Sequence, residues 1–304
     1  LLFCAPERGE FNMLIQFEHM NLGLENGKFS PRPLADGELA EVFTRWQDTL
    51  GDRGWNALYL ENHDQPRAVS RFGDPGSYWR ESATALATAY FLQRGTPFIY
   101  QGQEIGMLGG SLLKRCDFRD VESLNFLAGL EGDEVPVGLA AMSRDNGRTP
   151  MQWDDSPTAG FTSSEPWIDV PPSAAVINVA AQIQDPGSIL SYYKALIDAR
   201  HRVPALTEGS FERIDVGSPA LFVYRRRTAG SEVLVMVNLS GSVQTPHFPA
   251  PDEAWAPSHW NLYLGNTDVP LTVDSLQPQD GEDLDVRPHD SMKPWEARVY
   301  LRVL

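Results

Sequence analysis

Cationic residues and cysteines are both scarce in this chain of 304 residues. Lys and Arg number 25 against 41 Asp and Glu, which gives a formal net charge of −16 at pH 7. Nucleic acids and anionic membrane surfaces bind proteins through clustered cations, so the composition argues against both as partners. The two cysteines, Cys4 and Cys116, form no CxxC pair and lie near no histidine cluster in the sequence. We therefore expect neither a disulfide framework nor a structural zinc site.

Long hydrophobic runs are also missing. The longest apolar stretches, such as TALATAY and VLVMV, are much shorter than the roughly 20 residues of a membrane-spanning helix. Hydrophobic residues still make up 42% of the chain, which is enough for a large core in a globular protein of more than one domain. The first residues, LLFCAPERGE, have no initiator Met, basic region or small-residue cleavage site. We expect a cytoplasmic protein whose given sequence starts in mid-protein.

Three short apolar runs are predicted to be buried parallel strands: Met13–Phe17, Asn56–Leu60 and Phe98–Tyr100. Amphipathic helices alternate with them, one beginning at Asp36 and another at Ser77. Polar residues follow the strand ends, as at the catalytic mouth of a (β/α)₈ barrel. Such a barrel needs roughly 250 residues. Five βα units would therefore have to precede these three strands.

The second part of the chain has a different pattern. Residues from about 105 to 186 are rich in Gly, Pro, Asp and Ser, and excursions of this length are generally functional. Asp185 and Pro186 then begin a helix. Later strands are predicted at Leu221–Tyr224, Val233–Val237 and Ala297–Leu301. The fold class is thus predicted as α/β, with 1–204 as barrel and 205–304 as an all-β sandwich.

One polar constellation, the letters NHDQPR, lies at the end of the second predicted strand, separated from Leu60 by one residue. It contains His63, Asp64 and Arg67. A carboxylate accepts hydrogen bonds while the imidazole and guanidinium donate them, so these side chains could bind sugar hydroxyls. The alternative is a strand-end turn held together by its own hydrogen bonds.

A second constellation, SRDNGRTPMQW, lies in the long excursion and places Arg144 and Arg148 on either side of Asp145. Two arginines around a carboxylate could hold donors over a cleft; the alternative is a surface salt-bridge cluster that contributes little stability. A third group, RDVE, ends at Glu122. By itself it would more often be a solvated helix face.

Four segments resemble one known family in order and spacing. They read YLENHDQPRAVSRFGD, GTPFIYQGQEIGM, SRDNGRTPMQWDDSPTAGFT and EPWIDV. They are similar to the oligo-1,6-glucosidase and α-glucosidase branch of the α-amylase family, glycoside hydrolase family 13. The resemblance covers nearly the whole chain, from IQFEHM to the last strand, and departs from relatives in LGGSLLKRCD. It implies strands six to eight of a (β/α)₈ barrel followed by the C-terminal β-sandwich of the family.

The resemblance also implies a mechanism. Enzymes of this family retain the anomeric configuration, using an Asp nucleophile and a Glu acid/base that lie roughly 5 Å apart. Both would lie on strands upstream of Leu1. Because neither covalent attack nor leaving-group protonation would then have a residue to perform it, the chain alone is expected to be inactive.

Specific roles follow by motif match. Asp64 resembles the third carboxylate of the family, which stabilises the transition state. His63 and Arg144 resemble residues that hold the sugar at subsite −1. Glu122 resembles a residue on the +1 side. For Arg67 and Arg148 two interpretations stay open, a substrate-binding role in shaping the pocket and a structural role.

The leading hypothesis is an exo-acting α-glucosidase that releases glucose from short α-glucosides such as isomalto- or malto-oligosaccharides. Trehalose-6-phosphate hydrolase, sucrose isomerase and trehalose synthase are alternatives on the same scaffold. A non-catalytic amylase-like protein, as in the heavy chains of amino-acid transporters, is an alternative from another class. The expected partner is a small saccharide, and nothing in the sequence requires a cofactor or a metal.

Overall fold

The computed structural model describes residues 3–250, 255, 260–267 and 286–304, with the exception of residue 6. Its helices are α1 Glu38–Leu50, α2 Ala68–Phe72, α3 Trp79–Phe91, α4 Val121–Ala128, α5 Val137–Met142, α6 Val179–Gln182, α7 Ile189–Arg202 and α8 Pro204–Thr207. Its strands are β1 Leu14–Ile15, β2 Asn56–Leu58, β3 Thr96–Pro97, β4 Ser210–Arg213, β5 Leu221–Arg227, β6 Ser231–Asn238, β7 Asn261–Gly265 and β8 Ala297–Val303. Within the described part, no helix combines the length and the apolar character that a bilayer span requires.

Strands β1, β2 and β3 form a parallel sheet in that order. Helix α1 connects the first pair and helices α2 and α3 the second, as parallel strands require a crossover. The three predicted parallel strands are therefore present. The third was misplaced, because the strand is Thr96–Pro97 and ends before the run Phe98–Tyr100. It starts after Gly95, where a Cβ atom would lie 2.5 Å from the carbonyl oxygen of Asn56.

Helices α1 and α3 cover this sheet. Helix α1 buries one stripe, which contains Leu39, Val42 and Phe43. Helix α3 is different, since every residue from Ser82 to Phe91 is buried. A helix that is buried all round lies inside a core. Here that core is continuous from the parallel sheet to the second sheet.

Three predicted helix starts are displaced. Helix α1 begins after Gly37 and helix α3 after Tyr78, each one residue beyond the predicted Asp36 and Ser77. Helix α7 begins after Ser188, whose hydroxyl accepts a hydrogen bond from the backbone N–H of Ser191 at 3.1 Å. Asp185 instead precedes a turn that leads into the helix. A side chain that can cap several nearby N–H groups does not fix the first helical residue.

The second sheet is antiparallel, with the strand order β4-β5-β6-β8-β7. The three strands predicted here are confirmed, and each is longer than its apolar run. Strands β4 and β7 were not predicted. The side chains of β4 are exposed or half-buried, and β7 is a short run of which only Leu264 and Gly265 are buried. In the described residues this region is a single sheet, so the second layer of a sandwich and the boundary at 204/205 stay predictions.

Buried polar side chains join the two sheets through the end of α3. The fully buried Arg226 of β5 donates hydrogen bonds to the carbonyl oxygens of Leu92 at 2.7 Å and Leu206 at 2.9 Å. Arg200 of α7 donates to the carbonyl oxygens of Phe91 at 2.8 Å and Gly95 at 2.7 Å. These contacts satisfy carbonyl groups that the end of a helix leaves without partners.

The long excursion between β3 and α7 has its own small core. Leu112, Phe118, Leu127 and Leu139 are buried together, with Phe29 packed against them. This cluster supports α4 and α5. It places both helices beside the carboxyl ends of the parallel strands, through the contacts described next.

Candidate active site

Two turns meet at the carboxyl end of the parallel sheet. The first, residues 62–65, follows β2 and is called the NHD turn. The second, Arg144–Gly147, is a turn of 3₁₀ helix in the long excursion and is called the RDN turn. They touch at Gly147, where a Cβ atom would lie 2.5 Å from the carbonyl oxygen of Gln65 and 2.9 Å from that of Asn62. Only glycine allows the two backbones to approach so closely.

Each turn is also fixed internally. The side-chain oxygen of Asn62 accepts a hydrogen bond from the N–H of Asp64 at 2.8 Å. The hydroxyl of Ser143 accepts one from the N–H of Asp145 at 3.3 Å. Such local bonds are typical of Asn and Ser at turns. The backbone that presents the charged side chains is therefore well defined.

Asp64 lies at the centre of the charged group. Its Oδ1 atom is 2.8 Å from Nη2 of Arg148 and 3.8 Å from Nε of Arg144, and its Oδ2 atom is 3.5 Å from Nε2 of His63. The side chain keeps 41% of its surface exposed. Partial burial alone would raise its pKa, but the hydrogen bond from Arg148 and the nearby positive charges hold the pKa of Asp64 below its ordinary value. Asp64 is therefore an ionised carboxylate that a ligand can reach.

Arg148 ties the two turns together. Its Nε atom donates to the carbonyl oxygen of His63 at 2.8 Å, while Nη1 lies 3.4 Å from Oδ1 of Asp120. Arg144 approaches the same carboxylate at 3.9 Å and a second one, Glu122 Oε2, at 3.3 Å. Both guanidinium groups thus bridge carboxylates from different segments. This arrangement holds their positions more firmly than a single exposed ion pair would.

Two buried aspartates orient this network. Asp120 is the N-cap of α4 and accepts a hydrogen bond from the N–H of Ser123 at 3.1 Å. Asp145 accepts hydrogen bonds from the N–H groups of Arg119 at 2.8 Å and Asp120 at 3.0 Å. Asp120 was not predicted as a site residue. Its N-cap position before an apolar run was the available signal.

Lys28 is a further member of the charged group and was not predicted from the sequence. Its Nζ atom lies 2.5 Å from Oε2 of Glu122, although the two residues are 94 positions apart. The neighbouring Phe29 packs edge-on against Phe126 of α4, with ring centroids 4.8 Å apart. The loop after β1 therefore reaches the charged group. No local pattern marks a pairing over such a sequence distance.

Arg67 does not join the open group, so its predicted substrate-binding role does not fit the structure. Its side chain is fully buried, and Nη1 lies 3.1 Å from Oε1 of the buried Glu61. A sugar hydroxyl cannot reach a guanidinium without exposed surface. The supporting role, the other interpretation of Arg67, agrees with this position. Burial raises the pKa of Glu61, although the positive charge of Arg67 opposes the shift.

The remaining predicted site residues come together. Asp64, His63, Arg144, Arg148 and Glu122 are linked by the contacts above and are all partly or largely exposed. Among the described residues, no three His, Cys, Asp or Glu side chains converge as a metal-binding set. The group can accept hydrogen bonds at Asp64 and donate them from Arg144 and His63. That combination suits a polyhydroxylated ligand.

Comparison with known proteins gives this geometry a family context. The family model described as alpha-amylase, catalytic domain, matches residues 2–209. The chain is 42% identical over 308 aligned positions to the oligo-1,6-glucosidase of Parageobacillus thermoglucosidasius, an alignment that covers 99% of this chain and 52% of that enzyme.

Solved structures give the same result. The trehalose-6-phosphate hydrolase of Bacillus licheniformis is similar with a TM-score of 0.85 and 34% identity, over 99% of this chain and 53% of the other. The trehalulose synthase of Pseudomonas mesoacidophila MX-45 is similar with a TM-score of 0.84 and 32% identity, over 100% of this chain and 53% of the other. The chain spans about half the length of these relatives.

Proposed function

The chain belongs to the alpha-amylase family, and from this premise we propose that it forms the part of an α-glucosidase that holds the terminal glucose of a short α-glucoside. The observation that carries the proposal is the position of Asp64, an accessible ionised carboxylate that lies 2.8 Å from Arg148 and 3.8 Å from Arg144. A carboxylate so placed can bind two ring hydroxyls and favour distortion of the sugar ring. Both effects stabilise an oxocarbenium-like transition state.

We assign the other residues around this carboxylate. His63 and Arg144 bind the sugar at subsite −1, and Glu122 lines the +1 side. Arg148 already donates to Asp64 at 2.8 Å and to the His63 carbonyl oxygen at 2.8 Å. Its main role is therefore to orient Asp64, since most of its donors face protein acceptors.

The rest of the catalytic machinery is proposed to come from the half of the relatives' length that this chain does not span. In this proposal the parallel sheet corresponds to strands six to eight of the barrel and the antiparallel sheet to part of the C-terminal sandwich. The Asp nucleophile and the Glu acid/base lie on earlier strands, and the reaction retains the anomeric configuration. The chain alone is inactive, because it supplies neither of these two groups.

Charge balance favours a neutral sugar as the substrate. The cations of the group, Lys28, Arg144 and Arg148, each face carboxylates among Asp64, Asp120 and Glu122. A phosphorylated sugar would have to compete with these carboxylates for a cation. We therefore place isomalto- and malto-oligosaccharides first and trehalose 6-phosphate second. Isomerisation of sucrose remains the third reaction on this scaffold.

A chimera tests the proposal. In it, this chain replaces the aligned segment of the Parageobacillus oligo-1,6-glucosidase, with which it shares 42% identity. The purified chimera is assayed on isomaltose, maltose, sucrose and trehalose 6-phosphate, with the isolated chain and the truncated relative as controls. We expect glucose release from isomaltose or maltose by the chimera alone. A folded chimera that acts on none of the four sugars would overturn the proposal.

A further inference from the structure

A buried ion pair lies beneath the NHD turn and takes no part in the proposed sugar contacts. Its members, Glu61 and Arg67, are separated by the turn itself, and their side chains are 2% and 0% exposed. The carboxylate of Glu61 also accepts a hydrogen bond from the N–H of Ala68 at 2.5 Å. One side chain thus fixes both the cation at the end of the turn and the first residue of α2.

Arg67 extends the connection to the turn after β3. Its Nη1 atom donates to the carbonyl oxygen of Gln101 at 2.6 Å, and its guanidinium carbon lies 5.3 Å from the ring centroid of Tyr100. The hydroxyl of Tyr100 in turn donates to the carbonyl oxygen of Gly147 at 2.8 Å. Gly147 is the residue at which the RDN turn touches the NHD turn. A continuous series of contacts therefore runs from Glu61 to both turns.

Stability alone is a poor explanation for this pair. Removing two charges from water is unfavourable, and replacing a buried ion pair by apolar residues of similar volume is often neutral or stabilising. The pair is also incompletely satisfied, since Nε and Nη2 of Arg67 have no hydrogen-bond partner in the part of the chain that the structure describes. Such an arrangement is better suited to fixing geometry than to lowering free energy.

We propose that the Glu61–Arg67 pair is a positioning device that holds the NHD turn against the RDN turn and so sets the direction of Asp64 relative to Arg144. The proposal rests on the function proposed above only for its catalytic consequence. The structural consequence can be measured in this chain itself. Glu61 and Arg67 act through the backbone of the two turns and are positioning residues.

The decisive variant replaces both members of the pair by apolar residues of similar length, Glu61→Leu with Arg67→Met. This double change leaves no unpaired charge, so the chain is expected to fold with a thermal midpoint close to that of the unmodified chain. Arg67→Met alone leaves the buried Glu61 carboxylate without its ion-pair partner and is therefore expected to destabilise the whole chain. A matched control is Arg200→Met, which removes a buried arginine that donates to three backbone carbonyls elsewhere in the fold.

Amide hydrogen exchange measures how firmly the two turns are held. The relevant N–H groups close the two turns by hydrogen bonds. That of Gln65, the last residue of the NHD turn, donates to the carbonyl of Asn62 at 3.2 Å, and that of Arg148, the residue after the RDN turn, donates to the carbonyl of Asp145 at 3.0 Å. In the double variant we expect both to exchange at least about tenfold faster, while the amides of β5 and β6 keep their protection. Unchanged exchange in both turns would overturn the proposal. Equal acceleration by Arg200→Met would do so too, because the effect would then be global.

The chimera gives the catalytic readout. A small displacement of a group that acts in the transition state lowers kcat more than it changes KM. We expect the double variant to lose about 100-fold in kcat with KM within about threefold of the unmodified chimera. An unchanged kcat would contradict the positioning role. If the unmodified chimera has no activity, the proposed function fails, and hydrogen exchange in the isolated chain still decides the role of the pair.

Discussion

The charge of Asp64 is the feature of a single residue on which the proposed chemistry depends most. Arg148, Arg144 and His63 all lie within 4 Å of its carboxylate and lower its pKa against the effect of partial burial. The group therefore stays ionised through the mildly acidic range. An ionised carboxylate can strengthen its hydrogen bonds as positive charge develops on a sugar ring, and a neutral amide cannot do so to the same extent.

Asp64→Asn tests this role in the chimera with an almost unchanged shape. We expect kcat to fall on the order of 10³-fold, because the electrostatic contribution to the transition state is lost. The thermal midpoint should change little, since the side chain is partly exposed. Initial rates and thermal unfolding measure the two effects. The exposed Asp155→Asn is the control, and equal turnover in the two variants would remove Asp64 from the mechanism.

His19 illustrates a second residue-scale effect, on stability. Its ring is fully buried against Tyr59, with centroids 4.7 Å apart. The side-chain oxygen of Gln16 accepts a hydrogen bond from the backbone N–H of Glu18. The Nε2 atom of Gln16 therefore donates to Nδ1 of His19, at 2.7 Å, and this bond favours the neutral form of the imidazole ring. Burial, with a smaller contribution from the charge of Arg71, lowers the pKa of His19 to about 3.

The expected consequence is a loss of stability in mild acid. Below pH 6.5, the approximate pKa of a histidine in the unfolded chain, His19 binds a proton in the unfolded chain but not in the folded chain. The free energy of unfolding should therefore fall by up to about 1.4 kcal/mol per pH unit as the pH drops below 6.5. Denaturant unfolding between pH 7 and 5 measures the slope, above the range in which most carboxylates titrate. His19→Gln should flatten it and the exposed His201→Gln should not. Equal slopes in all three proteins would contradict the assignment.

At the scale of elements, the NHD and RDN turns approach each other so closely at Gly147 that a side chain has no room there. Gly147 is buried, and the space for a Cβ atom there is occupied by two carbonyl oxygens of the other turn. Backbone atoms cannot move aside as a flexible side chain can. Even one added methyl group must therefore separate the turns or displace Gly147.

Gly147→Ala is expected to weaken both stability and catalysis. The steric conflict should lower the free energy of unfolding by about 1–3 kcal/mol. In the chimera, kcat should fall because Arg144 and Asp64 move apart. Gly230→Ala is the matched control, since a Cβ atom at Gly230 meets nothing within 4 Å. If the two alanine variants behave alike, the turns have more freedom than this contact implies.

The elements also show how far the sequence could predict the structure. The parallel sheet was predicted from short apolar runs, and helix α1 from apolar residues at helical spacing. Both predictions were possible because burial of a strand or of one helix face requires apolar residues at regular positions in the sequence. Strand β4 has no such apolar pattern, because its side chains alternate between exposed and half-buried positions. The third strand was predicted too late in the sequence because Phe98 and Ile99 are apolar, although both are exposed in the structure. Hydrophobicity alone could not distinguish them from buried strand residues.

The candidate site was also only partly predictable from the sequence. Local motifs identified Asp64, Arg144 and Glu122, and the fold brings these three side chains together. The motifs could not indicate that Arg67 points inward, because Glu61 was not recognised as its buried partner. Nor could they indicate Lys28, whose partner is supplied by tertiary structure. Residue types in a motif suggest chemistry, whereas direction depends on contacts between distant segments.

At the scale of the whole molecule, β1 and β3 are the edges of the parallel sheet, and among the described residues each pairs only with β2. Large apolar side chains are exposed there: Ile15 and Phe17 are 56% exposed and Phe98 47%. Open edges with exposed apolar groups favour association with other chains. In a closed barrel these groups would be covered by further strands.

Phe17→Ser should therefore have opposite effects in two contexts. In the isolated chain it should reduce binding of an apolar fluorescent dye and self-association, because it removes exposed hydrophobic surface. In the chimera it should lower the free energy of unfolding by about 3–5 kcal/mol, because the ring is then buried. Dye fluorescence, light scattering and denaturant unfolding measure these effects.

Phe161→Ser, at a ring that is 51% exposed in the excursion, is the control and should leave the stability of the chimera unchanged. If Phe17→Ser also leaves it unchanged, this face of the sheet does not become part of a closed barrel, and the active site would have to be completed in another way.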